Sequence, residues 1–593
     1  MDAATGITVL IDNSLAQDGT GTQLFTTPDT ILTATCLSEV PDIISAAERA
    51  AHNGKWVAGF IAYEAAGAFD AALTTHAPDD RLPLVWFAVF DSPQDLSPTA
   101  ADHLWADEPQ SAAHDLTLPF DQQNYTRTID KIHAYLDAGD AYQINFTMQA
   151  SFRWDGSAKG LYRTLRQGQR TAHSAMIETD NWSILSVSPE LFLTNDGTTL
   201  RTRPMKGTAP RGLTLMADND AATALRDDPK SRAENLMIVD LLRNDLARVT
   251  QAGSVSVDHL FQVEHYPTLN TMTSTISGTL QADQGLADIM GALFPCGSVT
   301  GAPKKRAMEI IHELEAGPRG PYTGAIGVLN PDGTFSFNVA IRTPIVFPGG
   351  EGRIGLGSGI VADSNAQSEY EECHLKGRFL TDPRPAFDLF ETTVWRPDSG
   401  FLLLEAHLQR LATSATYFGY RFDRDEISAS LARAAQSLPH QPHRIRFAIN
   451  RYGAIDLRIV PLDDGAFPTQ GVVAIAEDRT RSDDLFLHHK TSLRPVYDRL
   501  MGQAAKEGLI DYLVMNERGE ITEGSKTNLF IIRDGVWLTP PQSSGLLPGT
   551  MRAEVMADKQ VREQVLTRDD LKCADALYVS NSVIGLVPVS LRD

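Results

Sequence analysis

Two acidic patterns raise the first chemical question. In SRAENLMIVDLLRNDLARV, residues 231 to 249, Leu236, Val239, Leu242, Leu246 and Val249 recur at steps of three and four, the spacing of one helical face. Glu234, Ile238, Leu241 and Asp245 form a second, partly apolar face. The helix is therefore expected to be buried, with Glu234 either capping its start or meeting a cation inside the protein. In DSNAQSEYEECHLKGRF, Asp363 or Ser364 is the expected N-cap, and Glu369, Glu372 and Lys376 line one side of the helix. Such a face is either a ladder of surface ion pairs or part of a ligand site. The preceding IGLGSGI favours the second, because Gly355, Gly357 and Gly359 allow a ligand close to the backbone. This is no dinucleotide fingerprint, since Ile360 stands where the third glycine would fall. GSVTGAPKKRAMEIIHELE is no Walker A motif either: Pro303 and Lys304 break its pattern. It reads as a small-residue loop entering a helix near Pro303, whose N–H groups favour an anion such as a carboxylate.

The elements that must hold these groups belong to a large chain. At 593 residues the prior is about four domain-sized units. A formal charge of −23 repels nucleic acid and anionic membrane surfaces. Cys36, Cys296, Cys373 and Cys573 are scattered without a zinc or disulfide spacing, which points to a reducing cytoplasm. The N-terminus lacks the features of a secretory signal, and no run is apolar enough to span a membrane. The clearest seam is TDPRPA, where Pro383 and Pro385 interrupt a helical stretch, so domains of 1–383 and 384–593 are expected. Ser92 to Gln110 reads as a loop joining an N-terminal subdomain to the catalytic portion. Strand-like and helical runs mix on both sides of the seam, an α+β first half and an α/β second.

Taken in order, RPMKGTAPRG, SRAENLMIVDLLRND, GSVTGAPKKRAMEII, RGPYTGAIG, NVAIRT and GSGIVADSNAQSEYEECHLKG resemble the chorismate-utilising enzymes over residues 120 to 380. The resemblance implies a fold of large sheets flanked by helices, chorismate as substrate, and Mg²⁺ held by Glu234 and Glu372 with Glu369 beside them. That agrees with a hard ion needing few carboxylates besides water and substrate oxygens. It also implies Arg342 and Tyr322 on the enolpyruvyl carboxylate, and Thr208, Ser298, Thr300, Gly357, Gly359 and Lys376 around the rest. His265 is placed by the same analogy near the departing C4 hydroxyl. Lys206, in Pro-Met-Lys-Gly-Thr, matches the aminodeoxychorismate synthases within the family; its amine would attack ring carbon C2. The alternative is that Lys206 merely pairs with a carboxylate. No cysteine sits in a glutaminase-type elbow, so ammonia implies a separate glutaminase subunit.

Lys490 in HHKTSLRPVYDR and Glu523 in ITEGSKTNLFII are individually unremarkable. Together with EAHLQRL, PPQSSGLLPGTMR and NSVIGLVPV they resemble the fold type IV pyridoxal phosphate enzymes, in two subdomains, over 387 to 593. The resemblance implies that Lys490 bonds to the cofactor and shuttles the proton while Glu523 keeps the pyridine nitrogen protonated. Arg410, Ser525 and Thr550 would bind the cofactor phosphate, Leu546 would pack on its ring, Thr392 would lie near the reacting centre, and Arg446 would meet a substrate carboxylate. A homodimer through this domain is a further expectation. The two resemblances together imply synthesis of 4-aminobenzoate from chorismate and ammonia. The rivals are an anthranilate synthase as first half, an amino-acid aminotransferase as second half, or a second half that is a degenerate scaffold.

Overall fold

The computed structural model describes residues 6–16, 21–463 and 466–592. The chain divides into two compact units. The first comprises Met1–Pro210 with Ala221–Pro385, and the second comprises Arg211–Asp220 with Ala386–Asp593. The seam thus falls two residues beyond the expected one, and a ten-residue stretch of the first half belongs to the second unit.

Two ten-stranded sheets build the first unit. The strand Gln143–Asp155 pairs antiparallel with Glu351–Ile360 in one of them, and Met205–Pro210 pairs antiparallel with Leu269–Thr279 in the other. Val9, Phe25, Ile177 and Ile184 of the first sheet pack against Ala58, Phe60, Trp86 and Ile326 of the second, so the sheets face each other across one apolar core. Early and late segments interleave: Thr8–Asp12 pairs with His173–Glu178, and Trp56–Ile61 with Ala325–Leu329. The expected separate N-terminal subdomain is therefore absent. Ser92 to Gln110 carries only a three-residue strand and a short helix, Pro98–His103, because its neighbours on both sides are committed to the same sheets.

Helices cover the outer faces. Pro229–Ala247 begins at Asp228, whose carboxylate accepts from Ser231 N–H, with Pro229 in the first turn. Its buried stripe is Asn235, Ile238, Val239, Leu242 and Leu246. Leu236, expected on that stripe, is 45% exposed, because Asn235 turns inward to the sheet in its place. Ala366–Thr381 is capped by Asn365, one or two residues later than the sequence suggests. The helix after the small-residue loop runs Lys304–Leu314 with Pro303 at its N-cap, as expected.

The second unit holds a four-stranded antiparallel sheet, ordered Gly400–Phe401, Leu389–Arg396, His443–Ile449 and Ile455–Pro461, and an eight-stranded mixed sheet. Period-two alternation in Leu389–Arg396 sends Leu389 into the core formed with the helices Leu404–Phe418 and Arg424–Gln436. Phe390 and Thr392 fall on the opposite face. The segment Arg211–Asp220 is fastened within this unit: Arg211 lies over the Tyr417 ring at 4.3 Å and donates to its carbonyl, while Tyr417 Oη donates to Gly212 O. Among the described residues no helix is long and apolar enough to cross a membrane.

Candidate active sites

Lys206 stands at an irregularity in the strand Met205–Pro210, where the register to Leu269–Thr279 shifts between Met205 and Thr208 and Gly207 takes φ +87°. A shift of this kind re-aims one side chain out of the ladder, and the left-handed turn requires glycine. Asn235 pins the helix Pro229–Ala247 beneath it, reaching Lys206 O and accepting from Ser274 Oγ at 2.6 Å. Burial lowers the Lys206 pKa; the carboxylates of Glu190 and Glu234 oppose that, and Lys376 reinforces it. Nothing in the sequence reading singled out Glu190. It is 3% exposed, burial pushes it up to about 7 against the pull of Ser298 and Lys206, and its Oε1 has no hydrogen-bond partner among the described residues. A buried carboxylate raised in this way and electrostatically coupled to the lysine is a candidate to exchange a proton with it. The available signal was the acid itself in SVSPELF, a run otherwise fit for a core.

The three glycines of the GxGxG run have separate reasons. A Cβ at Gly355 would lie 2.0 Å from the Tyr322 ring, and at Gly357 it would strike Phe146 O at 2.3 Å. At Gly359 it would meet Gln143 Nε2 at 2.5 Å and Lys206 Nζ at 3.1 Å. Ile345–Phe347 pairs with this strand only as far as Arg353, so beyond it one edge keeps alternate backbone groups open to a ligand. Gly359→Ala is expected to cut the first-half rate at least about tenfold by displacing the amine, with little loss of stability because Gln143 can swing away. Initial rates and the unfolding midpoint of the purified variant check this.

Around this centre, Arg342 is half-buried, donates to Gln169 Oε1 at 3.0 Å, and has its pKa lowered by desolvation. Ser298 contacts Cys296 Sγ, and Thr300 Oγ1 donates to Cys296 O. Thr208 is exposed on the Lys206 strand, and His265 is exposed on a neighbouring strand with its ring nitrogen 2.7 Å from Asn270 Oδ1. Glu234 is pushed up by burial, and nearby Glu369 adds to the shift. Glu372, expected as a metal ligand, pairs with Lys376 one turn along at 2.7 Å, and Lys376 also donates to Gly357 O. No three acidic, histidine or cysteine side chains among the described residues form a metal-holding group. Glu234, Glu369 and Glu372 remain the carboxylates that could serve a hard ion such as Mg²⁺, with water and substrate oxygens completing its shell.

In the second unit burial lowers Lys490 to about 7, aided by Arg410 and opposed by Glu391 and Glu523. Its Nζ lies 4.8 Å from the centroid of the Phe390 ring. Glu523 is raised by burial to about 8, although Leu547 N–H, Tyr497 Oη and Asn528 Nδ2 all donate to it. Arg494 and Lys490 also draw its pKa down without overcoming burial, and a carboxylate so held, with three donors and no direct ion pair among the described residues, fits a protonated pyridine nitrogen. Arg410 is clamped by Glu391 through Nε and Nη2 and by Pro548 O through Nη1. His407 Nδ1 also meets Glu391, and its other nitrogen lies 3.4 Å from Thr550 Oγ1. Arg410 and Thr550 are thus joined through one buried carboxylate. Ser525, expected at the cofactor phosphate, donates its hydroxyl to Asp511. Leu546 is buried, Thr392 O accepts from Ser582, and Arg446 lies 4.3 Å from the Phe390 centroid. Arg494, missed in the sequence, joins this site by donating to Ser525 O and pairing with Asp498.

Burial alone would raise Glu391, but Arg410 and then His407 outweigh it and bring its pKa down to about 2. A depressed folded pKa means that the stabilisation is complete above the usual carboxylate range and is lost as pH falls toward 2. Glu391→Ala strands Arg410 and is expected to cost about 3–5 kcal/mol, read as a lower unfolding midpoint at pH 7 and a smaller gap from wild type at low pH.

Residues 13–382 match the family model described as chorismate binding enzyme, and residues 388–591 the one described as amino-transferase class IV. The chain is 41% identical over 279 residues to aminodeoxychorismate synthase component 1 of Escherichia coli K12, covering 46% of this chain and 61% of that protein. It is 33% identical over 351 residues to the Bacillus subtilis protein of the same name, covering 54% and 74%. The chain thus spans less than two thirds of the first relative's length. Anthranilate synthase component I from Streptococcus pneumoniae superposes with a TM-score of 0.51 at 24% identity, over 64% of this chain and 91% of that one, a likeness of fold.

Proposed function

The chain belongs to the chorismate binding enzymes and continues into an amino-transferase class IV domain, and from this we propose that it makes 4-aminobenzoate from chorismate and ammonia. The observation that carries the reading is the desolvated Lys206 amine, acted on by the Glu190 and Glu234 carboxylates and given room by Gly359. Deprotonated by Glu190, Lys206 Nζ bonds to ring carbon C2 as the C4 hydroxyl leaves. Ammonia from a separate glutaminase then bonds to C4 and expels the lysine, giving aminodeoxychorismate. Arg342 holds a substrate carboxylate, and Glu234 and Glu372, with Glu369 beside them, would hold a Mg²⁺ that offsets the substrate's charge.

In the second unit, Lys490, Glu523, Arg410 and Thr550 would hold pyridoxal 5′-phosphate, which supplies an electron-accepting ring. Lys490 Nζ then takes the C4 proton of aminodeoxychorismate, the enolpyruvyl oxygen leaves to become pyruvate, and the ring becomes aromatic. Incubating the purified chain with chorismate, ammonium, Mg²⁺ and pyridoxal phosphate tests both steps. The expected products are 4-aminobenzoate and pyruvate. The ortho isomer would replace the first step, and aminodeoxychorismate accumulating without pyruvate would remove the second.

A further inference from the structure

Leu389–Arg396, His443–Ile449 and Ile455–Pro461 run side by side, and their register sets Thr392 opposite Arg446 and Arg446 opposite Arg458. Residues directly opposite in antiparallel strands share a face, so the two arginines stand together on the face that carries Phe390 and Thr392. Arg446 lies over the Phe390 ring, as does the Lys490 amine, at 4.3 and 4.8 Å from its centroid. The Arg458 side chain, 72% exposed, extends the row toward solvent. Like charges facing each other across strands are destabilising. Asp456 moderates the repulsion, 3.7 Å from Arg446 and 3.2 Å from Arg458, yet one carboxylate does not neutralise two guanidinium groups. Asp388 and Asp498 also act on Arg446, but Asp498 is paired with Arg494.

We propose that Arg446 and Arg458 form a two-arginine clamp that selects a dicarboxylate amine for the second site, with Arg458 as the specificity-determining residue. This rests on the functional reading above. Aminodeoxychorismate has carboxylates on the ring and on the enolpyruvyl arm, with the amine across the ring from the first. An amine at Lys490 and a carboxylate at Arg446 both stand over Phe390, and the second carboxylate meets Arg458. A monocarboxylate amino acid leaves Arg458 with only the Asp456 carboxylate it shares with Arg446, so discrimination lies in the outer arginine.

The test uses the full-length chain loaded with pyridoxal phosphate. KM and kcat for pyruvate release from aminodeoxychorismate are measured for wild type, Arg458→Gln and Asp456→Asn, beside calorimetric titration with benzene-1,3-dicarboxylate and with benzoate. Arg458→Gln is expected to raise KM and the dicarboxylate Kd about three- to tenfold with kcat little changed, leaving benzoate nearly unaffected. Asp456→Asn, which frees positive charge, is expected to move both in the opposite direction. A purely structural role would shift the two variants the same way, and that result, or no shift in dicarboxylate binding, overturns the clamp. If wild type releases no pyruvate, the functional reading fails, while the titrations still decide whether the arginines select a dicarboxylate.

Discussion

Lys206→Ala is expected to lower aminodeoxychorismate formation by about three orders of magnitude or more while pyruvate release from added aminodeoxychorismate continues at the wild-type rate. The argument is local. Burial and the nearby Lys376 charge favour a neutral amine, and Glu190, raised by burial to about 7 and electrostatically coupled to the lysine, is the carboxylate expected to accept its proton. An alanine leaves no atom to bond to C2, and ammonia cannot reach C4 by the same double displacement. The measurement is chromatographic resolution of the intermediate, with the pyruvate assay run on the same preparation to show that the chain is folded. Intact-mass analysis of wild type under turnover supplies the complementary result, a chorismate-derived adduct that the variant lacks. Unchanged synthase turnover would leave Lys206 as a binding residue only.

The second large effect is expected from Lys490→Ala, which should abolish both the absorbance of lysine-bound cofactor and the release of pyruvate, again by about three orders of magnitude or more, while aminodeoxychorismate formation persists and accumulates. The pH dependence has a definite sign. Burial disfavours the ammonium form and brings Lys490 down to about 7, so the amine is neutral above that value. Capture of free pyridoxal phosphate by the cofactor-free wild-type chain is therefore expected to accelerate as pH rises from about 6 to about 8 and then level off. Stopped-flow absorbance reads this directly. A flat profile would mean that the lysine is not held near neutrality by its surroundings.

Much of this was legible in local sequence, and the exceptions share a cause. The seam near Pro385 and the helix entry at Pro303 show in the chain because proline restricts backbone locally. The interleaving of Thr8–Asp12 with His173–Glu178 leaves no such local trace, since pairing across 160 or more residues is decided by which apolar faces find each other, and so the N-terminal subdomain was misjudged. At the sites, Lys206, Lys490 and Glu523 stand inside recognisable motifs, but Glu190 and Glu391 do not declare themselves. FETT drew attention to Thr392, whereas the strand's alternation turns its neighbour Glu391 to the opposite side, where it holds Arg410 and His407. Glu372 is legible from its place in a motif, and its ion pair with Lys376 one turn along follows from helix geometry. Arg458 gains meaning only through register with Arg446, which is not written in either strand alone.

The fastening of Arg211–Asp220 to Tyr417 within the second unit bears on how the protein can be dissected. A single scission after Pro385 yields neither unit whole: the carboxyl-terminal fragment loses a strip it normally carries, and the amino-terminal fragment keeps that strip with its usual ring and carbonyl partners gone. Laboratory truncations meant to isolate either activity therefore begin from a damaged article, and point substitutions in the intact polypeptide are the cleaner instrument.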